Sequence, residues 1–105
     1  MSVMHDVIQE EYNRLCALIE QYEKKIESFP RGSLQKRNRG EKSYYYLAYR
    51  GKEDKRVKDQ YIGKADSEEV ERIKDLIEKR RTYEQKKKQA EEKLKEIRKL
   101  LRVAG

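Results

Sequence analysis

The sequence predicts an α+β protein in which two long antiparallel, coiled-coil-like helices flank a small antiparallel sheet of two or three strands. Three observations lead there. Apolar residues recur at alternating steps of three and four over both ends of the chain, while the middle is rich in tyrosine and glycine and loses that period. Hydrophobic residues make up only 35% of the 105 positions and charged ones 45%, with a mean hydropathy of −1.25. Such a chain has too little apolar surface to offset the entropy of ordering a large core, and it suits helices with narrow seams. Its charges are mixed in sign and its apolar residues periodic, which separates it from a disordered polyelectrolyte. A single domain over 1–105 follows.

The first helix is expected over 2–29. Ile8, Tyr12, Leu15, Ile19, Tyr22, Ile26 and Phe29 form an unbroken heptad-type seam, the mark of a helix that packs on another helix. Pro30 lacks a backbone donor and pushes Phe29 out of the helical region, so the helix stops there after roughly 40 Å. Cys16, the single cysteine, has no partner for an intramolecular disulfide and no companions for a metal cluster. Beside Leu15 in a helical pattern, it is expected to be a small buried hydrophobe.

The middle segment, 32–64, reads as β structure. Gly32 and Gly40 punctuate it, residues 33–38 fit a short first strand, and Tyr44 to Arg50 is rich in strand-favouring aromatics. Gly51-Lys52-Glu53-Asp54-Lys55 makes a polar turn before a further strand from Arg56 to Ile62, and Gly63-Lys64-Ala65 leads on. Alternation separates Tyr45, Leu47 and Tyr49 from Tyr44, Tyr46, Ala48 and Arg50. The first set is expected to face the helices with Leu34 and Ile62 nearby, and a slip of one residue would exchange the faces.

The last helix is expected over 66–102. Asp66 and Glu69 fit an acidic capping box, with Glu68 and Glu71 complementing the helix dipole. Leu76, Arg80, Tyr83, Lys87, Ala90, Leu94, Ile97 and Leu101 keep the seam spacing, and Val70, Ile73 and Ile77 widen it near the start. Arg80 and Lys87 interrupt that seam, so they mark a weak stretch or a missing partner. The simplest arrangement is an antiparallel hairpin of helices. A parallel homodimer through either seam competes with it.

Charge is distributed unevenly. Residues 31–64 carry eleven Lys or Arg against Glu41, Glu53, Asp54 and Asp59, a net +7 that equals the net charge of the whole chain. Five of the eight tyrosines lie in the same stretch. Cations interleaved with aromatic rings suit a polyphosphate with stackable bases. Lys36, Arg37, Arg39, Lys42, Arg50, Arg56 and Lys58 are the candidate phosphate contacts, with Tyr44 and Tyr46 as the outward stacking rings. A β-ribbon of this size also fits a major groove. The plainer alternative is a solvated sheet edge, where Lys and Arg discourage aggregation and the tyrosines are amphipathic core. Arg80-Arg81 with Lys86-Lys87-Lys88 form a second basic cluster, balanced by acids on a solvated helix face.

Catalysis finds little support. His5 stands alone near the start, the acidic residues fall on charge-alternating helix faces, and no phosphate loop, dinucleotide-binding glycine pattern or metal-ligand spacing occurs. No enzyme activity and no cofactor are expected. The lack of an apolar run long enough for a signal peptide or a membrane span makes a soluble, cytoplasmic setting the expectation.

The runs G-S-L-Q-K-R (32–37), Y-Y-Y-L-A-Y-R (44–50) and Y-I-G-K (61–64) precede a Glu-rich helix through Glu78-Lys79-Arg80-Arg81. Together they are similar to an uncharacterised family of short bacterial and phage or mobile-element proteins with a Tyr-rich hairpin ahead of a long helix. More distantly, they resemble the N-terminal, three-stranded DNA-binding domain of conjugative-transposon tyrosine recombinases. That domain opens with a G-S-[IL]-x-K-R strand, continues with an aromatic-basic strand and closes with a helix. The resemblance implies that Lys36, Arg37, Tyr46, Arg50 and Lys58 face DNA. The chain departs by adding a helix in front and a long charged helix behind, and it carries no recombinase catalytic domain, which excludes strand exchange.

The expected function is non-catalytic binding of DNA or RNA, or of a nucleoprotein complex, by the basic tyrosine-rich hairpin on a helical stalk. The alternative is a phage or mobile-element inhibitor, anti-CRISPR-like, that docks on a host defence nuclease or its guide complex. A plain coiled-coil adaptor would use the seams but leave the hairpin unexplained.

Overall fold

The computed structural model describes residues 3–51, 53 and 55–104. In chain order it contains helix α1 (Val3–Glu27), strands β1 (Ser33–Arg39), β2 (Lys42–Arg50) and β3 (Val57–Lys64), and helix α2 (Glu68–Ala104). The strands form one antiparallel sheet in the order β1-β2-β3, so the protein is α+β with two helices flanking a three-stranded sheet. Ser2, Lys52 and Asp54, which fall within the expected first helix and polar turn, lie outside the described residues. No helix among the described residues is long and apolar enough to cross a membrane.

Two compact units share the chain. The first combines α1, through Ser28, with α2 from Arg81 onward. Its core is Leu15, Ala90 and Leu94, with Tyr12, Ile19, Tyr22 and Ile97 packed around them. Tyr22 meets the Tyr83 ring at 6.1 Å, Glu23 pairs with Lys87 at 3.5 Å, and Arg98 lies 5.9 Å from the Tyr12 ring. Partner numbers fall along one helix as they rise along the other, so the two segments run antiparallel. Lys87 therefore does not break the seam: its ammonium reaches out to Glu23 and to Glu91, while its stem continues the packed row. Leu15, 1% exposed, is the anchor, and burying such a side chain is worth about 1.5–3 kcal/mol. Cys16 is exposed, contrary to expectation, because one helical step rotates it about 100° away from Leu15 and off the seam.

The second unit runs from Phe29 to Arg80 and holds the sheet with the first part of α2. Its buried side chains are Leu47, Val70 and Ile77. Leu47 pairs with Leu34 across β1 and β2, and Lys74 places its ammonium 4.7 Å from the centre of the Tyr45 ring. These contacts set the start of α2 on the face that carries Tyr45 and Leu47.

The entry into α2 differs from the expected capping box. Ser67, not Asp66, is the N-cap: its hydroxyl accepts from the Val70 N–H at 3.3 Å, and its carbonyl accepts the first helical bond from Glu71. The residue three beyond it is Val70, fully buried, so no Glu closes the box and the position anchors the helix on the sheet instead. Gly63 permits this approach, since a Cβ there would come within 2.7 Å of the Ser67 hydroxyl.

The chain enters the sheet through Gly32, whose φ is +89° and whose added Cβ would overlap the Ala48 carbonyl. Arg80 holds this corner. Half-buried, it donates to the carbonyls of Pro30 and, at 2.9 Å, Gly32. The residue that interrupts the apolar seam of α2 is thus a side-chain cap for the turn leading into β1. Partly solvated, the two charge-assisted bonds together are worth about 1.5–3 kcal/mol.

Candidate nucleic-acid interface

Strand geometry sorts the basic residues. Successive side chains on a strand point to opposite faces, and directly paired residues share one. β1 and β2 pair as Gln35 with Tyr46, Arg37 with Tyr44 and Arg39 with Lys42. On the other side Tyr46 pairs with Tyr61, Ala48 with Asp59 and Arg50 with Val57. One face of the sheet therefore carries Arg37, Arg39, Lys42, Tyr44, Tyr46, Arg50, Asp59, Tyr61 and Lys64. The opposite face carries Tyr45, Leu47 and Tyr49 and receives α2.

Two candidates fall on the other side of this division. Lys36 pairs with Tyr45 and Lys58 with Tyr49, so both lie on the face that holds α2. Lys36 and Arg37 are consecutive in one strand and cannot both face one ligand. Arg56 precedes β3, in the connection whose ends are closed by the Gly51 N–H donating to the Arg56 carbonyl. The remaining six, Arg37, Arg39, Lys42, Tyr44, Tyr46 and Arg50, share the open face. Near Lys42, a shallow hollow is lined by Ser43, Lys64, Glu41 and Asp66.

The centre of the open face is a contact network. Tyr46 meets Tyr61 edge-on at 5.5 Å, and Tyr44 meets Tyr61 at 6.2 Å. The Arg37 guanidinium lies 4.5 Å above the Tyr46 ring, and its Nη2 donates to Asp59 at 2.6 Å. Arg37 and Asp59 come from the two outer strands, so the ion pair crosses over the middle one. Both side chains stay substantially exposed, 50% and 39%, which limits the pair's contribution to stability to about 0–1 kcal/mol. Its main effect is to hold the guanidinium in place over the ring.

Cations cluster toward the ends. Arg39 and Lys42 flank the two-residue turn at Gly40 and Glu41. Gly40 has φ +62° with open space around it, as the first position of a II′ hairpin turn requires. At the far end of β2, Arg50 donates to the Lys55 carbonyl at 3.4 Å, within a loop where Lys55 itself has φ +57°.

Tyr61 and Asp59 are residues of this candidate face that the sequence pattern alone passed over. Their signal was present, because both alternate with Val57 along β3. A bulge hides the register: Tyr45 pairs with Gly63 but Tyr46 with Tyr61, leaving Ile62 as the extra residue. Without knowing the register, the partner of each β2 tyrosine cannot be named.

A sequence model of the family described as Domain of unknown function (DUF6788) matches residues 8–72, well over half of the chain and inclusive of the whole sheet. No curated protein and no solved structure matches the chain.

Proposed function

We propose that this protein, which belongs to the DUF6788 family, is a non-catalytic nucleic-acid-binding protein whose contact surface is the open face of the sheet. One observation carries the reading: a single face gathers three tyrosine rings, Tyr44 and Tyr46 each against Tyr61, and five cations, Arg37, Arg39, Lys42, Arg50 and Lys64, while α2 packs on the other. Only one acid, Asp59, stands among the strand residues of that face. The cations neutralise phosphates and release counterions, and the rings supply apolar area that tolerates any base. The distant resemblance to the recombinase DNA-binding domain points the same way for Arg37, Tyr46 and Arg50, but not for Lys36 and Lys58.

A salt titration tests the reading. Anisotropy with short labelled oligonucleotides is expected to give micromolar binding that weakens with salt. Four phosphate contacts correspond to a log–log slope of about −3. Binding with no salt dependence, or none at low salt, contradicts the proposal and turns the search to a protein partner.

A further inference from the structure

We infer that the open face takes single-stranded rather than duplex nucleic acid, with unpaired bases on Tyr44, on Tyr61 and on the Arg37 guanidinium that covers Tyr46, and phosphates toward the two ends of β2. The inference rests on the nucleic-acid reading above. The centre of the face is made of ring surface, with centroids 5.5 and 6.2 Å apart and Tyr61 52% exposed. A base presents its π-face to such rings only when it is out of the duplex stack. Reading a major groove would instead need long donors and acceptors projecting from the middle of the sheet. The arginine located there is already engaged, 4.5 Å above the Tyr46 ring and bonded to Asp59.

Asp59 supplies an independent argument. Its carboxylate, opposite Ala48 of the central strand and paired with Arg37, cancels the guanidinium charge, so a phosphate chain that crosses the middle of the face meets no net positive charge. The same oxygen atoms accept from the exocyclic amino group of a base, as carboxylates do from cytosine N4. The four cations left for phosphates are peripheral: Arg39, Lys42 and Lys64 near the β1–β2 turn and Arg50 at the other end of β2. Lys42 and Arg50 bound a strand path of about 26 Å. A flexible single strand follows that path and turns its bases onto the rings between. A duplex keeps its bases stacked inside and brings its phosphates against the neutralised pair of Arg37 and Asp59.

The test compares one sequence in four forms by anisotropy: single-stranded DNA, single-stranded RNA, the DNA duplex and the RNA duplex, with heparin as a polyanion control. The single strands are expected to bind at least ten-fold more tightly than the duplexes, and the DNA and RNA arms identify which strand is preferred. Tyr46→Leu and Tyr61→Leu are each expected to weaken single-strand binding about ten-fold with the salt slope unchanged, whereas Tyr46→Phe keeps it. The chain has no tryptophan, so quenching of tyrosine emission on binding reports stacking directly. Circular dichroism verifies the fold of each variant. Duplex binding as tight as single-strand binding, insensitive to the Tyr→Leu changes, overturns the inference while leaving the nucleic-acid reading standing. Heparin binding as well as every oligonucleotide overturns both.

Discussion

Tyr45 and Tyr46 are neighbours on β2, each with a cation over its ring, yet they belong to surfaces of different kinds. The cation over Tyr45 is Lys74 of α2, and the contact is part of packing a helix on a sheet. The cation over Tyr46 is Arg37 of β1, tied down by Asp59 and left in the open with Tyr44 and Tyr61 around it. Residue chemistry is therefore the same on both faces, and what differs is whether a second layer covers it. Fold stability should be concentrated on the covered face and ligand contact on the open one.

The largest expected effect breaks the covered face. Leu47→Ala deletes a side chain only 6% exposed and is expected to cost about 2–5 kcal/mol in urea unfolding, as buried Leu→Ala changes do. Tyr61→Ser on the open face loses two ring contacts and is expected to cost only about 1 kcal/mol while weakening binding. Equal destabilisation by the two would erase the distinction between the faces.

Arg80→Ala comes next, with an expected loss of about 1.5–3 kcal/mol for the two bonds together, to the Pro30 and Gly32 carbonyls. Urea unfolding checks the size, and a neutral result would contradict the capping role. Asp59→Asn sharpens the comparison from the open side. Stability is expected to move by less than about 1 kcal/mol, whereas duplex affinity rises relative to single-strand affinity, because Arg37 loses the partner that cancels its charge while the amide oxygen remains a base acceptor. An unchanged ratio of single-strand to duplex affinity would contradict the role given to Asp59.

The smallest effect lies in the helical unit. Arg14 donates two hydrogen bonds to the Glu11 carboxylate, which holds it below the usual carboxylate range and raises the guanidinium in turn. A depressed folded-state value means that the pair's contribution is complete above the unfolded carboxylate range. It disappears as pH falls through the folded value. Because the pair is fully solvated, Glu11→Gln is expected to move the melting temperature at neutral pH by no more than about 2 °C.

Much of this architecture was legible in the sequence, because two periods dominate it. The 3-4 spacing of Ile8 through Ile26 and of Ala90, Leu94 and Ile97 marked the helices, and alternation put Tyr45 and Leu47 opposite Tyr44 and Tyr46. Isolated long-range contacts were not legible. Arg80 looked like a flaw in an apolar seam, since the Pro30 and Gly32 carbonyls that it satisfies are distant in sequence. Ser67 displaced Asp66 as the cap because the burial of Val70 fixed the helix phase. On the candidate site, charge density alone gathered Lys36 and Lys58 with Arg37, although strand alternation separates them. Tyr61 was missed because the bulge at Ile62 concealed its pairing with Tyr46.

The most direct test of the account reverses equal charge on the two faces. Arg39→Glu with Lys42→Glu alters the open face, and Lys36→Glu with Lys58→Glu alters the covered one, so the net charge of the two variants is identical. Anisotropy against a labelled single strand at fixed salt is expected to show a loss of at least about ten-fold for the first pair and no more than about three-fold for the second. Equal losses would mean that binding follows net charge and that neither face is a site.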